Sequence, residues 1–275
     1  MKSDFSCPVC GKPLARNEKT LSCENGHTYD LARKGYVNLL LSQQSKDKRH
    51  GDDTIMIAAR RDFLDSGAYA PLREKTAETV LSRAKDGDVL LDVGCGECYY
   101  TEAILRRADE TGLSLSALGI DISKEALAYA HKRTADVKLA VASIFSLPVA
   151  DESVDLLLNM FAPYAPAEFA RVLTSGGYLI RTFPREKHLW ELKQAVYDTP
   201  YENEIETVEL SGFDLIREER ITYPLALTSP EQIGALFRMT PYYYKTSKEG
   251  QARAAALEQL TVTADFALIT YRKKA

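Results

Sequence analysis

The chain has 275 residues, of which 45% are hydrophobic and 27% are charged, and its formal net charge is −4. This length is enough for one α/β domain with a small appendage. No apolar run approaches the roughly 18 residues of a membrane helix, and the amino terminus lacks the apolar core of a signal peptide. We therefore predict a cytoplasmic protein with no membrane partner.

Positive charge is concentrated near the amino terminus. Residues 1–61 contain eleven Lys and Arg against seven Asp and Glu, a balance of +4 that leaves −8 for the remaining residues. A basic arm on an acidic body is compatible with an RNA-facing segment, and a solvated surface is an equally good interpretation. The cations of this arm that we predict to contact RNA phosphates are Arg33, Lys34, Lys46, Lys48, Arg49, Arg60 and Arg61.

The first cysteines have the spacing of a metal site. Cys7, Cys10, Cys23 and His27 form the pattern C-x2-C-x12-C-x3-H. Two knuckles about a dozen residues apart are typical of structural zinc, whose closed tetrahedron leaves no catalytic position. The metal would supply the folding energy that so short a segment lacks. We predict a zinc-binding module over residues 1–41, and we expect the rest of the chain to survive loss of the metal.

A polar segment and two helices follow this module. Residues 42–68 are predicted to be a linker and a connecting helix that begins at Thr54. The apolar side chains expected on one face of this helix are Ile55, Ala58, Ala59 and Phe63. A second helix is predicted to begin at Tyr69 or Pro71 and to end near Ala84.

Short apolar strands alternate with helical stretches from residue 88 onward. This alternation predicts a parallel sheet that is covered on both faces. The predicted parallel strands are 89–94, 115–121, 137–142, 154–160 and 176–183. The last strand, 263–274, alternates polar and apolar residues and is predicted to be an antiparallel edge. The expected fold class is α/β and Rossmann-like, with a seven-stranded, mostly parallel sheet in a domain over residues 69–275.

The first predicted strand ends in a glycine loop. Gly94 and Gly96 allow a sharp turn and a close approach of backbone to ligand, and Asp92 and Cys95 share the loop. Asp121 ends the next strand, where a carboxylate can bind both hydroxyls of a ribose. This arrangement predicts a site for a nucleoside-containing ligand.

The loop favours S-adenosylmethionine over a dinucleotide. A dinucleotide loop has a third glycine where this chain has Tyr99, and the carboxylate of Glu97 would repel a pyrophosphate. The same carboxylate tolerates a sulfonium cation with an ammonium group. Ser143, after the third strand, is expected beside the adenine. Another Rossmann-like nucleotide binder is the alternative, and we interpret the Cys95-x-x-Cys98 spacing as accidental rather than redox-active.

Six motifs occur together in a fixed order. They are the cysteine–histidine module, DLARKGYVNLL (30–40), RRDFLDSGAY (60–69), GCGECYY (94–100), NMFAPY (159–164) and KHLWELK (187–193). Together they resemble the bacterial 23S ribosomal RNA guanine-N1 methyltransferases over essentially the whole chain. The resemblance implies a class I S-adenosylmethionine-dependent enzyme that forms a homodimer and uses its zinc module to help form an RNA-binding cleft.

The resemblance also implies positions for the cofactor. It places contacts to S-adenosylmethionine at Tyr69, at the Gly96-Glu97 loop and at His188. One position departs from the family pattern, because Cys98 stands where the family usually has glycine. This difference puts the geometry of the loop in question.

The acceptor is expected to lie beside NMFAPY, just after the fourth strand. Asn159 could bond a base edge and Phe161 or Tyr164 could stack on the base, although ordinary core aromatics are an equally good interpretation. No general base is assigned, and the target guanine is expected to be looped out or flipped so that N1 is accessible. The alternatives are a small-molecule methyltransferase and a non-catalytic RNA-binding protein that retains the cofactor fold.

Overall fold

The structure is a computed structural model that describes residues 5–42, 54–205 and 208–274. The amino-terminal module contains three short antiparallel strands, β1 (Ala15–Asn17), β2 (Thr20–Ser22) and β3 (Thr28–Asp30). A fourth strand, β4 (Tyr36–Asn38), lies outside this small sheet and pairs with β7 in the sheet of the main domain.

The main domain alternates strands and helices for most of its length. Its strands are β5 (Asp88–Val93), β6 (Leu115–Asp121), β7 (Val137–Val141), β8 (Val154–Met160), β9 (Leu173–Pro184), β10 (Phe213–Leu227) and β11 (Leu260–Lys273). Its helices are α1 (Thr54–Asp65), α2 (Ala70–Leu81), α3 (Tyr99–Glu110), α4 (Lys124–Arg133), α5 (Pro166–Val172), α6 (Trp190–Val196), α7 (Pro230–Arg238), α8 (Tyr242–Lys245) and α9 (Lys248–Ala255).

Eight of the described strands form one sheet, in the order β10-β11-β9-β8-β5-β6-β7-β4. The strands from β9 to β4 in this order are parallel, and β11 is antiparallel to both of its neighbours. The chain moves outward from β5 through β6 and β7, and then returns to the other side of β5 as β8. Ligands of open α/β sheets bind outside the carboxyl ends of the strands at such a reversal. The β5–β8 boundary therefore marks where a site is expected.

The structure confirms the five predicted parallel strands and corrects two other expectations. The sheet has eight strands rather than seven, because β4 of the amino-terminal module adds to the edge at β7. The final strand, β11, is not an edge, because β10 covers it along residues 213–227. The sequence of β10 concealed this strand. Nearly all of its residues are exposed or half-buried, and it contains the charged run Arg217–Arg220 and Pro224.

The amino-terminal module shares its core with the main domain. Phe5, Leu14 and Leu39 are buried in one cluster with Leu147 and Val149 of the main domain. Burial of a large apolar side chain contributes about 1.5–3 kcal/mol, so each part of this cluster stabilises the other. This arrangement changes our expectation for metal loss, because an unfolded module would expose part of the main core.

Helix α1 buries a different face from the one that we predicted. Phe63 and Ala59 of α1 are buried as expected, but Ile55 is 56% exposed and its neighbours Met56 and Ile57 are buried instead. The second predicted helix corresponds to α2, and Tyr69 immediately precedes its first residue. Among the described residues, no helix has both the length and the apolar character needed to cross a membrane.

Candidate cofactor and acceptor site

The glycine loop after β5 closes tightly against its neighbours. Gly94 has φ +77°, and a Cβ there would lie 2.4 Å from the Cβ of Ala162. The amides of Gly94 and Cys95 both donate to the carbonyl oxygen of Ile120, at 2.8 and 3.0 Å. Glycine is therefore required at position 94 for both its conformation and its lack of a side chain. The loop directly contacts NMFAPY, which brings the predicted cofactor and acceptor segments together.

Asp121 fixes the glycine loop from the end of β6. Its Oδ2 accepts a hydrogen bond from the amide of Gly96 at 2.8 Å, and its Oδ1 accepts one from the amide of Ser123 at 2.8 Å. Ser123 in turn caps α4, because its Oγ accepts from the amide of Ala126 at 3.2 Å. A carboxylate oxygen can accept more than one hydrogen bond, so Asp121 retains the capacity to bind ribose hydroxyls.

Two carboxyl groups beside the loop are suited to a cation. Each has a buried oxygen without a hydrogen-bond partner among the described residues, Oδ1 in Asp92 and Oε1 in Glu97. Burial raises the pKa of Asp92 to about 7, an effect that the Thr101 hydroxyl opposes. Burial also raises the pKa of Glu97 to about 7, and Arg133 opposes it. A positively charged ligand would stabilise both carboxylates, whereas a pyrophosphate would meet repulsion. The residues present therefore fit S-adenosylmethionine.

Cys98 adopts a backbone conformation that favours glycine. It has φ +57° at the residue that precedes α3, and its side chain is fully buried. A left-handed conformation costs a residue with a Cβ about 1–2 kcal/mol relative to its usual conformations. The loop keeps the glycine-like geometry despite the cysteine. Cys95 is also buried, and burial raises the pKa of its thiol well above the usual value.

His188 and Tyr69 contact each other inside the protein. The amide of Asp265 donates to Nδ1 of His188 at 3.1 Å, so Nδ1 must carry a lone pair. The neutral ring then has its proton on Nε2 and donates it to the hydroxyl of Tyr69, at 3.3 Å. Burial raises the pKa of Tyr69 well above its usual value, so its hydroxyl keeps a proton that can be donated to a ligand. Together the two side chains form a neutral donor at the predicted cofactor site.

Replacement of His188 by glutamine is expected to remove a pH dependence of stability. Burial lowers the pKa of His188 from 6.5 to about 3, so the unfolded chain takes up a proton at a higher pH than the folded chain. The stability that His188 contributes is complete above pH 6.5 and falls with pH toward about 3. The decline should approach about 1.4 kcal/mol per pH unit.

Denaturant unfolding of the parent and the glutamine variant, between about pH 8 and about pH 4, measures this effect. Their difference in free energy of unfolding should be constant above pH 6.5 and change below it. Buried carboxyls such as Asp92 and Glu97 change the stability with pH in the opposite direction, and comparing the two proteins cancels their contributions. A difference that stays constant over the whole range would contradict the neutral, buried state of His188.

The three acceptor-side candidates have unequal access to a substrate. Phe161 is 43% exposed, has φ +56°, and lies with its ring centroid 6.5 Å from that of Tyr69. Asn159 is buried, with its amide engaged by Arg181 at 3.2 Å and by the carbonyl oxygen of Pro163 at 3.3 Å. A non-glycine residue in the left-handed region is a local strain that clusters at functional sites. Phe161 is thus the best placed of the candidates to stack on a base.

Tyr164 and Ser143 lie at the margins of this region. The ring of Tyr164 packs under the Arg181 guanidinium, whose Cζ is 4.3 Å from the ring centroid. Its hydroxyl is buried without a hydrogen-bond partner among the described residues. Ser143 is half-buried after β7, and its Oγ accepts from the amide of Phe145 at 3.2 Å. Phe145 is itself 64% exposed, so an apolar side chain borders the predicted adenine position.

The cysteine–histidine group assembles as the spacing predicted. Its four ligand atoms, from Cys7, Cys10, Cys23 and His27, all lie within 4.8 Å of one another. The sulfurs of Cys10 and Cys23 are 3.7 Å apart, close to the separation of about 3.8 Å that a tetrahedral zinc with bonds of about 2.3 Å requires. The His27 Nδ1 lies 3.4 Å from the sulfurs of Cys7 and Cys23. The donor set and its geometry fit zinc.

Hydrogen bonds around Cys7 favour the thiolate that a metal needs. Burial opposes ionisation, but bonds from the Tyr29 hydroxyl and from the amides of Val9 and Cys10 outweigh it and lower the pKa of Cys7 to about 6. The Tyr29 oxygen lies 3.2 Å from the Cys7 sulfur. A tyrosine on the far strand of the module therefore supports the first knuckle.

Several contacts at the site were not predicted from the sequence. The Thr101 hydroxyl of α3 donates to the Asp92 carboxyl, and the ring of Phe266 in β11 is tilted against the His188 ring, with their centroids 4.6 Å apart. The rings of Tyr100 and Phe161 have their centroids 6.4 Å apart, and the Tyr100 hydroxyl is buried. Tyr100 and Thr101 directly follow the glycine loop, so helical spacing could have placed them, whereas Phe266 comes from a distant strand.

Known protein families match both the amino-terminal module and the main domain. A zinc-ribbon family described as "RlmA, N-terminal" matches residues 5–48, and a family described as "Methyltransferase domain" matches residues 91–181. A malonyl-[acyl-carrier protein] O-methyltransferase from Hahella chejuensis is 34% identical, but over only 46% of this chain and 48% of its own. The likeness to that enzyme is therefore confined to part of the chain.

Other relatives match along nearly the whole length. A 23S rRNA (guanine(748)-N(1))-methyltransferase from Streptomyces fradiae is 34% identical over 94% of each chain. A Bacillus subtilis protein named "Putative 23S rRNA (guanine-N(1)-)-methyltransferase YxjB" is 32% identical over 97% of this chain and 96% of its own. Since these matches include the zinc ribbon as well as the methyltransferase domain, the chain belongs to the 23S rRNA (guanine-N1-)-methyltransferase family.

Proposed function

We propose that the protein transfers a methyl group from S-adenosylmethionine to N1 of a guanine in 23S ribosomal RNA. The observation that carries this proposal is the joint match of the zinc ribbon and the methyltransferase domain to guanine-N1 methyltransferases over 94% of the chain. The glycine loop and the acceptor loop also meet at Gly94 and Ala162, so methyl donor and acceptor would lie side by side.

Residues at the carboxyl edge of the sheet would hold the cofactor. Asp121 would bind the ribose hydroxyls, Ser143 would lie beside the adenine, and the Tyr69–His188 pair would donate to the ligand. The loop formed by Asp92, Gly94, Cys95, Gly96 and Glu97 would supply backbone amides and carboxylates. When bound, S-adenosylmethionine would supply an electrophilic methyl group. The bond from its methyl carbon to sulfur would break as the bond to guanine N1 forms, S-adenosylhomocysteine would leave, and the N1 proton would pass to solvent.

Zinc would be structural in this enzyme. Cys7, Cys10, Cys23 and His27 use all four positions of a tetrahedron, so the metal would bind no substrate. Its role would be to hold the two knuckles and, through them, the strand β4 that extends the main sheet. The family resemblance further implies a homodimer, and the amino-terminal sequence favours a cytoplasmic location.

Positioning is the main contribution that the acceptor side can make. A guanine paired in a duplex hides N1, so the base must be looped out or flipped before it can enter. The exposed ring of Phe161 would stack on the base, and stacking on an aromatic side chain contributes about 1–3 kcal/mol. Holding nitrogen, methyl carbon and sulfur in line can supply much of the rate enhancement. No general base is assigned to the N1 proton.

Cations and an aromatic ring form a surface near the cofactor loop. The Arg61 guanidinium lies 4.5 Å from the Tyr129 ring centroid, and the Lys132 ammonium lies 5.4 Å from it on the same helix, α4. Arg33 and Lys34 are exposed next to Gly35, whose backbone leaves no space for a Cβ beside the His131 ring of α4. This basic surface joins the module to the main domain and fits an RNA backbone.

Neutralising Arg61 and Lys132 is expected to weaken RNA binding and its salt dependence. Each phosphate contact on single-stranded RNA contributes about −0.7 to the slope of log affinity against log salt, so Arg61→Gln with Lys132→Gln should flatten the slope by up to about 1.4. The residues Lys46, Lys48 and Arg49 lie outside the described residues. Neutralising these three should flatten the slope by up to about 2.

Filter binding of a ribosomal RNA hairpin at several salt concentrations measures both effects. Lys85→Gln is the matched control, because Lys85 is exposed before the amino end of β5, whereas the cofactor loop follows its carboxyl end. Binding of S-adenosylhomocysteine should be unchanged by the triple substitution. An RNA slope that is the same in the variants as in the parent would exclude these cations from the interface.

Mass spectrometry of 23S ribosomal RNA from cells with and without the gene tests the proposed activity. The expected result is one N1-methylguanine that disappears with the gene and returns when purified protein methylates RNA from the deficient cells. Calorimetry with S-adenosylhomocysteine separates the alternatives, since a non-catalytic RNA-binding protein without a working cofactor site would show no binding. Methylation of a metabolite extract instead of ribosomal RNA would overturn the proposal in favour of a small-molecule enzyme.

A further inference from the structure

A charged side chain lies inside the protein behind the cofactor site. Lys193, the last residue of KHLWELK, belongs to α6 and is 0% exposed. Its ammonium donates to the carbonyl oxygen of Tyr201 at 2.9 Å and to Oδ1 of Asn203 at 2.7 Å. The ring centroids of Tyr201 and Tyr242 lie 4.5 and 4.7 Å from Nζ. The ammonium is therefore held in an aromatic cage by neutral oxygen acceptors.

An uncharged residue would fill this space with less penalty. Removing an ammonium from water costs several kcal/mol, and methionine has a similar length without the charge. Burial, and to a lesser extent Lys245, lowers the pKa of Lys193, while Glu202 opposes the change. The charge-assisted bond to Asn203 and the two cation–π contacts offset part of the penalty. The charge instead fixes the orientation of the Asn203 side chain, because an ammonium can bond the amide oxygen but not the amide nitrogen.

Asn203 connects this cage to the turn that carries His188. Its Oδ1 accepts from Lys193 and also from the Tyr242 hydroxyl at 2.9 Å. Because the oxygen is fixed by two donors, the amide nitrogen must face the other way. There it donates to the carbonyl oxygen of Arg185 at 2.8 Å, with a longer contact of 3.5 Å to that of His188.

The turn is held from both of its sides. On the backbone side, the amide of Asn203 donates to the carbonyl oxygen of Glu186 at 2.8 Å. On the ring side, the His188 imidazole is bonded to the amide of Asp265 and to the Tyr69 hydroxyl. Loss of the backbone side would leave the ring side to fix the imidazole alone.

We propose that Lys193 and Asn203 form a clamp that fixes the turn at residues 185–188 and so orients the His188 ring toward Tyr69. Lys193 is a positioning residue in this proposal, since its buried ammonium acts on the His188 turn through Asn203. The inference rests on the proposed role of His188 in binding the cofactor, but the state of the His188 ring can be measured without it.

Two substitutions break the clamp in different places. Asn203→Asp keeps an oxygen for Lys193 and Tyr242 but places a second oxygen against the carbonyls of Arg185 and His188, so it should fold and yet release the turn. Lys193→Met removes the charge and leaves the Asn203 amide free to rotate. Lys273→Met is the matched control. Its ammonium also donates to a backbone carbonyl, that of Leu173 at 2.8 Å, but it lies beside the amino end of β9, at the other ends of the strands from the cofactor loop.

The readouts are nitrogen-15 spectra of the imidazoles and the affinity for S-adenosylhomocysteine. The chain has four histidines, so the His188 signals can be identified by their loss in His188→Gln. The parent and Lys273→Met should show His188 fixed in the neutral form protonated on Nε2. In Asn203→Asp and Lys193→Met we expect a mixture of tautomers and about tenfold weaker binding, with little change in the thermal midpoint of Asn203→Asp.

Parent-like His188 spectra and affinities within about twofold of the parent, in a folded Asn203→Asp protein, would overturn the clamp. Should Lys193→Met fail to fold, the aspartate variant still decides the matter. A parent protein that shows no affinity for S-adenosylhomocysteine would instead contradict the proposed function, and the spectra would still report on the clamp.

Discussion

Replacement of Asp121 by alanine is expected to weaken the binding of S-adenosylmethionine by at least tenfold. A hydrogen bond to a charged group contributes about 1.5–3 kcal/mol, and tenfold in affinity corresponds to about 1.4 kcal/mol. Loss of one ribose bond is therefore enough for this effect, and loss of both would exceed it. The structure adds a second cause, because the same carboxylate accepts from the amides of Gly96 and Ser123. Alanine leaves the loop itself without its anchor.

Asparagine at position 121 separates these two causes. Asp121→Asn retains one oxygen for an amide of the loop but loses the negative charge and presents an NH₂ group at the other position. We expect affinity between those of the parent and the alanine variant, with circular dichroism unchanged in all three. Isothermal titration calorimetry with S-adenosylhomocysteine measures the effect. Equal affinities in folded parent and alanine variant would place the ribose elsewhere.

Loss of zinc is expected to destabilise the main domain as well as the amino-terminal module. Metal binding in small zinc domains contributes on the order of 10 kcal/mol to folding, so the knuckles should not persist without it. Leu147 and Val149 would then lose their cover, at about 1.5–3 kcal/mol each. For a domain of this size, such a loss lowers the unfolding midpoint by roughly 10 °C.

Cys10→Ser tests this expectation without a chelator. Val9→Ala is the matched control, because Val9 lies in the same knuckle, is 58% exposed and offers no ligand atom. The serine variant should contain less than one zinc per chain by elemental analysis and should unfold at a lower temperature, whereas the alanine variant should match the parent. A zinc-free protein whose main domain unfolds at the parental temperature would show that the shared core contributes little.

The parallel core of the sheet could be predicted because its pattern is strong. Strands buried on both faces read as continuous apolar runs, and β5 and β8 at the centre of the sheet have this character. The edges had no such signal. β10 is mostly solvent-exposed, and β4 has three residues, too few to show a period, so neither its existence nor its partner followed from the sequence.

The residues of the candidate site also differ in whether they could be predicted from the sequence. Residues set by local spacing, such as the zinc group, the glycine loop and Asp121, could be named from the sequence because one turn or one strand end places each of them. The contact between Tyr69 and His188 joins residues 119 positions apart and depends on the fold and on a backbone amide of β11. Only the family resemblance predicted that these two side chains contact the cofactor. Lys193 was part of a recognised motif, but nothing in the motif indicated that its charge is buried.

The attachment of β4 to the main sheet has a consequence for synthesis on the ribosome. Val37 pairs with Ala140, so the amino-terminal module emerges long before the strand that receives it. At 5–20 residues per second, about a hundred further residues take roughly 5–20 s to appear. During that interval Leu39 and its apolar neighbours have no sheet to pack against, and early capture of zinc would limit how much of the nascent chain is available for misassembly.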